Sequence, residues 1–204
     1  MNRLACLGLL AVAVWTAATN SSPADLILYT AALDGPSEAT PNTSPGVGFA
    51  TVGYDPVAHY LAVSAVFGDL IGTTTAAHIH GPTALPFEGA AGVATMTPTF
   101  LGFPSGVTAG AYAETFDTTL DATYNPAFLS ANGGTAAGAE AALAASLAGG
   151  TAYFNIHTSA FGGGEIRGFL KPVVGPVPEP SSVVLLGLGG TLGLVGYTWR
   201  RRRR

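Results

Sequence analysis

Short segments in which apolar residues alternate with polar ones fill the chain between residues 25 and 172. In residues 59–67 the pattern places Leu61, Val63, Ala65 and Phe67 on one face and leaves a less apolar opposite face. A period of two is typical of a β-strand with one face against a core. Turn residues separate the segments, and no regular strand and helix alternation is present. We therefore predict a single antiparallel β-sandwich or barrel-like domain of the all-β class. About eight strands are predicted, at residues 26–33, 46–54, 59–67, 76–80, 92–97, 110–116, 151–157 and 165–171.

One segment departs from this pattern. Ala136–Ala148 is rich in strong helix formers and is followed by Gly149 and Gly150, which suit a left-handed helix stop. Leu143 and Leu147 stand four residues apart and would share a helix face. We predict a short helix that covers one end of the sandwich.

The C-terminal tail has a different character. Residues 183–199 contain no charge, and 17 residues of helix span about 25 Å, enough to cross the hydrocarbon of a bilayer. Five arginines follow and would stay on the cytoplasmic side, so the preceding residues would face outward. Residues 181–204 are predicted to be a transmembrane helix with its basic end. The proline-rich residues 173–180 are predicted to be a stiff linker.

The order of features in this tail resembles the PEP-CTERM sorting signal. Its Pro-Glu-Pro box, its span and its terminal arginine cluster are all present: Pro178, Glu179, Pro180, Arg200, Arg201, Arg202, Arg203 and Arg204. The resemblance implies recognition by an exosortase-type processing enzyme and cleavage near the box. It also implies an inner-membrane intermediate that ends at the cell surface or outside the cell. An ordinary C-terminal membrane anchor is the alternative interpretation.

The N-terminus agrees with export. Arg3, an apolar run over residues 4–14 and the small residues 16–18 are typical of a secretory signal peptide, which we assign to residues 1–24. Cys6 would leave with this segment, and the rest of the chain has no cysteine. Disulfides, thiolate catalysis and cysteine metal sites are therefore excluded for residues 25–172.

Without its two ends the chain is strongly acidic. Between residues 25 and 172 the chain has two basic residues, Arg167 and Lys171, and eleven acidic residues. Such a surface repels phosphate backbones, so nucleic acid is not an expected partner.

Histidines supply the candidate chemistry. His78 and His80 are two apart on a predicted strand and would project from one face, and His157 lies on another predicted strand. These three residues would form a zinc or copper site, either by themselves or with an acid such as Glu165 or Asp69 as a further ligand. The alternative is that the histidines hydrogen-bond loop backbone at one end of the sheet. No catalytic motif and no other cofactor site is predicted.

Glu165 and Arg167 also stand two apart on one predicted strand. We expect Arg167 to pair with Glu165 or with an acid across the sheet. Contact with an anion beside the histidines is the alternative.

Several segments of this domain, in order, resemble the CHRD domain: residues 33–41, AAHIHGP at 76–82, the helix 139–150, YFNIHT at 153–158 and GGGEIRGFL at 162–170. The resemblance implies an extracellular β-rich module over residues 25–172. We therefore expect a structural or interaction role in the bacterial envelope or extracellular matrix, with polysaccharide or surface proteins as partners. A metal-dependent redox or carrier protein that uses the three histidines is the second hypothesis.

Overall fold

A single curled antiparallel sheet organises the residues that the computed structural model describes, 26–173. Its seven-strand path runs β4-β6-β7-β1-β2-β3-β5, and β8 pairs with β1 beside β7. This confirms the predicted all-β antiparallel class. The strands are β1 Ile27–Asp34, β2 Val47–Asp55, β3 Tyr60–Gly68, β4 Thr74–His80, β5 Gly110–Asp117, β6 Tyr153–Thr158, β7 Ile166–Phe169 and β8 Lys171–Pro172.

The predicted signal peptide, the sorting box and the predicted transmembrane segment lie outside the described residues. Within residues 26–173, no helix combines the length and the apolar character needed to cross a membrane.

The core lies inside the curl of the sheet. Leu61, Val63 and Ala65 are buried there, on the face that the alternation predicts. Phe100 is fully buried, and its ring stacks 5.4 Å from that of Phe116 on β5. It also stacks 5.9 Å from Phe154 on β6, so Phe100 packs the last strand of the order, β5, against the second strand, β6. Because these residues share one hydrophobic core, we expect them to fold as one domain.

The main helix has the predicted bounds. α2 covers Ala136–Ala148, Thr135 caps its first turn, and Gly150 after it has a φ of +67°. Leu143 and Leu147 are both buried, as their spacing predicts. A second helix, α1 Pro126–Ala131, was not predicted, although Asn125 caps it and proline opens it. This Asn-Pro start is a sequence signal for a helix. A 3₁₀ turn, Asp121–Thr123, precedes it.

The prediction of a strand at 92–97 is wrong, because this segment forms only isolated β-bridges, at Val93 and Thr95. It runs along the open edge of β4, where Ala94 N donates to Ile79 O at 2.9 Å. The return bonds come from side chains: Ile79 N donates to the Thr95 hydroxyl at 3.0 Å, and Ala77 N to the Thr99 hydroxyl at 3.0 Å. Threonine hydroxyls therefore replace the backbone carbonyls that a regular strand would use, and they close this edge of the sheet.

The segment predicted as one strand over residues 165–171 is divided into β7 and β8, which lie in the same sheet. The glycines at 162–164 form the turn between β6 and β7, as expected for a hairpin loop.

Candidate metal centre

The register of β4 and β6 brings the three predicted histidines together. His78 pairs with Asn155 and Ala76 pairs with His157, so the histidines share one face of the two strands. The opposite face carries Ile79 and enters the core. Loops cover the histidine face, where His78 and His80 are buried and His157 is half-buried.

A backbone carbonyl holds one nitrogen of each imidazole. The contacts are His78 Nε2 to Pro98 O at 2.7 Å, His80 Nδ1 to Ala91 O at 3.0 Å and His157 Nδ1 to Gly162 O at 3.0 Å. Since a carbonyl oxygen only accepts hydrogen bonds, each of these nitrogens carries the proton. The second nitrogen of each neutral ring is therefore left with a free lone pair.

The three imidazoles lie close together. One nitrogen from each histidine lies within 4.8 Å of the other two, and His80 Nε2 is 3.4 Å from His157 Nε2. With both tautomers fixed by carbonyls, neither of this last pair has a proton to donate. Two nitrogens bound to one tetrahedral zinc ion at about 2.0–2.1 Å lie about 3.3–3.4 Å apart. His78 Nδ1 is buried and has no hydrogen-bond partner within the described residues.

Burial keeps these rings neutral. Loss of solvent lowers the pKa of His78 to about 4 and that of His80 to about 4, against the opposing effect of their carbonyl bonds. Burial also lowers the pKa of His157. At neutral pH the trio therefore offers uncharged imidazoles, the form that binds zinc or copper.

A carbonyl on the second nitrogen is also the usual support of a metal-binding histidine, because it orients the ring and fixes the tautomer. The donor set and its surroundings thus fit a zinc or copper ion. These three side chains are the ones that the sequence predicted.

Neither suggested acidic ligand, Asp69 or Glu165, lies with the histidines, so this part of the prediction is wrong. The cluster of possible ligands within residues 26–173 consists of the three histidines without an acid. Asp69 is exposed after the end of β3. Glu165 is fully buried, but its oxygens accept four hydrogen bonds elsewhere: from Ser44 Oγ, Ile71 N, Gly72 N and Thr158 Oγ1.

Arg167 does not pair with Glu165 either. It is buried, with its Nε 3.9 Å from Glu38 Oε2, and it donates to the carbonyls of Ser37 and Gly89. Glu38 comes from the loop after β1 rather than from a strand, so the sequence pattern did not point to it. The guanidinium also lies over the ring of Tyr153, 4.7 Å from its centroid.

Tyr153 connects this arginine to the histidines. Its ring is stacked on His80 at 4.9 Å with an interplanar angle of 11°. Its hydroxyl donates to Ala91 O at 3.1 Å, the same carbonyl that binds His80. The orientation of His80 is therefore held from two sides.

Comparison with protein families agrees with this organisation. A family model described as the CHRD domain matches residues 29–170. The chain belongs to the CHRD family. The CHRD match contains the three histidines and strands β2 to β7 in full, together with most of β1. No curated protein and no solved structure shows significant similarity to the chain.

A second model, described as the PEP-CTERM protein-sorting motif, matches residues 176–203. The CHRD protein is therefore exported, and its sorting signal directs it through a membrane-anchored intermediate to the cell surface. The motif implies processing by an exosortase.

Proposed function

We propose that this exported CHRD domain is a surface module that binds a transition-metal ion through His78, His80 and His157. The observation that carries the proposal is the cluster of three imidazoles whose nitrogens lie within 4.8 Å of one another, while a backbone carbonyl binds the other nitrogen of each ring. His78 Nδ1 is buried without a donor, which is costly, and a cation would satisfy it together with the free nitrogens of His80 and His157.

The ligand chemistry favours zinc or copper. Imidazole suits both ions, whereas calcium and magnesium prefer oxygen ligands. Because the carbonyls of Ala91, Pro98 and Gly162 orient the rings, the ion would also fasten the covering loops to the sheet. A redox or carrier role would use the same three ligands.

Metal titration of the purified domain tests this proposal. We expect one equivalent of zinc or copper per chain, and a melting temperature that rises with the ion present. His78→Ala and His157→Ala should each abolish stoichiometric binding. His59→Ala is the matched control, because His59 lies on the β2–β3 turn and contacts Glu140 instead. A wild-type domain that binds neither ion would contradict the proposal.

An interaction role is the second candidate, and the outer face of β1, β2, β3 and β5 favours it. On these four strands the face carries no charge between Asp34 at one end and Asp55 and Asp117 at the other, and Lys171 of β8 lies beside Thr30 at its border. The register aligns two rows across it: Thr30, Thr51, Ser64 and Ala113 form one, and Ala32, Phe49, Val66 and Ala111 form the other.

The second row is apolar and accessible, with Phe49 exposed by 47 % and Val66 by 56 %. A row of hydroxyls beside an exposed aromatic ring suits an uncharged polysaccharide, since rings stack on sugar faces and hydroxyls exchange hydrogen bonds with them. An acidic polymer would instead meet a domain of strongly negative charge.

Binding to an insoluble neutral glucan measures this role. We expect retention of the wild-type domain and at least tenfold weaker retention of Phe49→Ser. Leu101→Ser is the control, because Leu101 is 75 % exposed and lies outside the two rows. Equal retention of the wild type and Phe49→Ser would refute the assignment of this face.

A further inference from the structure

Three buried polar atoms within residues 26–173 have no hydrogen-bond partner, and all three belong to one patch. They are His78 Nδ1, Asn155 Oδ1 and Glu38 Oε1. His78 and Asn155 are directly paired across β4 and β6, and Asn155 is paired with Arg167 across β6 and β7. The unpartnered atoms therefore extend from the histidine cluster towards Arg167.

The turn before β7 brings Glu38 and Asn155 together. A Cβ atom added to Gly164 would lie 2.5 Å from the Asn155 amide atoms and 2.7 Å from Glu38 Oε1. The backbone of Gly164 thus sits against both side chains. Their exposed fractions are 2 % for Asn155 and 6 % for Glu38, which leaves bulk water little access to either oxygen.

Arg167 does not hydrogen-bond these oxygens. Arg167 Nε is 3.9 Å from the other Glu38 oxygen, which is beyond hydrogen-bond distance, and it donates to Ser37 O. Another Arg167 nitrogen donates to Gly89 O at 3.0 Å. Each of the three unpartnered atoms can accept a hydrogen bond: two are side-chain oxygens, and His78 Nδ1 has a free lone pair.

We propose that Asn155 and Glu38 are positioning residues of the metal site, and that their free oxygens accept hydrogen bonds from a water molecule bound to the ion. This inference rests on the proposed metal binding. Three imidazoles leave a fourth tetrahedral position, and sites of this kind keep it for water or another small exchangeable ligand. A coordinated water has two O–H donors, which matches the two oxygens available.

The metal centre would then be an open site rather than a closed structural one. A site with four protein ligands is closed and structural, whereas this one exchanges its fourth ligand and accepts small oxygen or nitrogen donors. Outer residues of this kind typically change metal affinity by about 10–100-fold when they are replaced.

The test compares substitutions that keep size but change chemistry. Asn155→Leu removes the acceptor, whereas Asn155→Asp places a carboxylate at the same point. We expect zinc to bind at least tenfold more weakly to Asn155→Leu and more tightly to Asn155→Asp, measured by competition with a chelating dye. Glu38→Gln should weaken binding in the same direction as Asn155→Leu. Glu88→Gln is the matched control, because Glu88 is exposed.

Cobalt(II) supplies a second readout. Its visible absorption reports the ligand field, so the bands of the cobalt-loaded domain should shift in Asn155→Leu and Glu38→Gln but not in Glu88→Gln. A purely structural role of Asn155 would change the melting temperature and leave these bands in place.

The two proposals fail in different ways. If the wild type binds zinc but Asn155→Leu, Asn155→Asp and Glu38→Gln match its affinity and cobalt spectrum, the positioning role is refuted and the metal site stands. If the wild-type domain binds no metal ion, both are refuted.

Discussion

Replacing Glu165 by glutamine should destabilise the domain strongly at neutral pH. Glu165 is a fully buried carboxylate with two donors on each oxygen: Ser44 Oγ at 2.6 Å and Ile71 N at 2.5 Å on Oε1, and Gly72 N at 3.0 Å and Thr158 Oγ1 at 2.6 Å on Oε2. The side chain joins three separate parts of the chain to β7.

The expected magnitude follows from these four bonds. Each carboxylate oxygen accepts a hydrogen bond from one backbone N–H, that of Ile71 or that of Gly72. In either orientation of the glutamine amide, its NH₂ group therefore meets one of these N–H donors, which cannot become an acceptor. The variant loses at least one charge-assisted hydrogen bond, worth about 1.5–3 kcal/mol, and leaves a buried donor unsatisfied at about 1–3 kcal/mol. We expect a loss of about 3–5 kcal/mol in the free energy of unfolding, or roughly 10 °C in melting temperature for a domain of this size.

The effect should also depend on pH. Burial alone would raise the pKa of Glu165, but the bonds from Ser44, Thr158 and the two backbone N–H groups outweigh it and hold the pKa below its usual value of 4.5. A depressed folded-state pKa stabilises the protein above the unfolded-state value, and this contribution is lost as pH falls below about 4.5. The difference between wild type and Glu165→Gln should therefore shrink in acid.

Urea unfolding of both proteins at pH 7 and at pH 3.5 measures these quantities. Glu114→Gln is the control, since Glu114 is exposed on β5 and should change stability by less than about 0.5 kcal/mol. A Glu165→Gln variant within about 1 kcal/mol of the wild type at pH 7 would refute the reasoning, as would a difference that stays constant between the two pH values.

Two further substitutions test other contacts by thermal unfolding. Gly164→Ala should lower the free energy of unfolding by at least about 2 kcal/mol, because Gly164 has a φ of +127° and the new methyl would lie 2.5 Å from Asn155. Gly163→Ala should change stability little, because its methyl would meet nothing within 4 Å. Equal melting temperatures for the two variants would contradict this reasoning. Glu140→Gln should lower the free energy of unfolding by about 1–3 kcal/mol. Glu140 on α2 accepts hydrogen bonds from Thr118 Oγ1 at 2.7 Å, His59 Nδ1 at 3.0 Å and Tyr54 Oη at 3.1 Å. An unchanged melting temperature would show that these bonds do not hold the helix to the sheet.

Local patterns predicted much of the fold. Alternation identified the core face of β3, and composition with the following glycines identified α2 at the bounds it has in the structure. Both signals are local, because strand faces repeat every two residues and helix formers act within one segment. The strand predicted at 92–97 is wrong because local composition does not show which groups of the chain pair with the edge of β4. Its composition suits a strand, but threonine side chains occupy the edge of β4.

The candidate site divides in the same way. The spacing of His78 and His80 was enough to place both on one face, and the choice of His157 as their partner agrees with the structure. The prediction of Glu165 as a ligand is wrong, because sequence spacing does not show that hydrogen-bond donors from other segments surround its carboxylate. Glu38 and the role of Asn155 were not predicted, since loop closure over the sheet brings them together.

The sequence by itself determined the export route, the all-β class, the absence of cysteine chemistry in the exported domain and the identity of the three histidines. These properties depend on composition, on short motifs and, for His78 and His80, on spacing within one segment. The tertiary structure decided which nitrogen of each histidine is free, which acids are near them and what shields them from water. Those properties depend on carbonyls and side chains that are far away in sequence and meet when the sheet curls and the loops close over it.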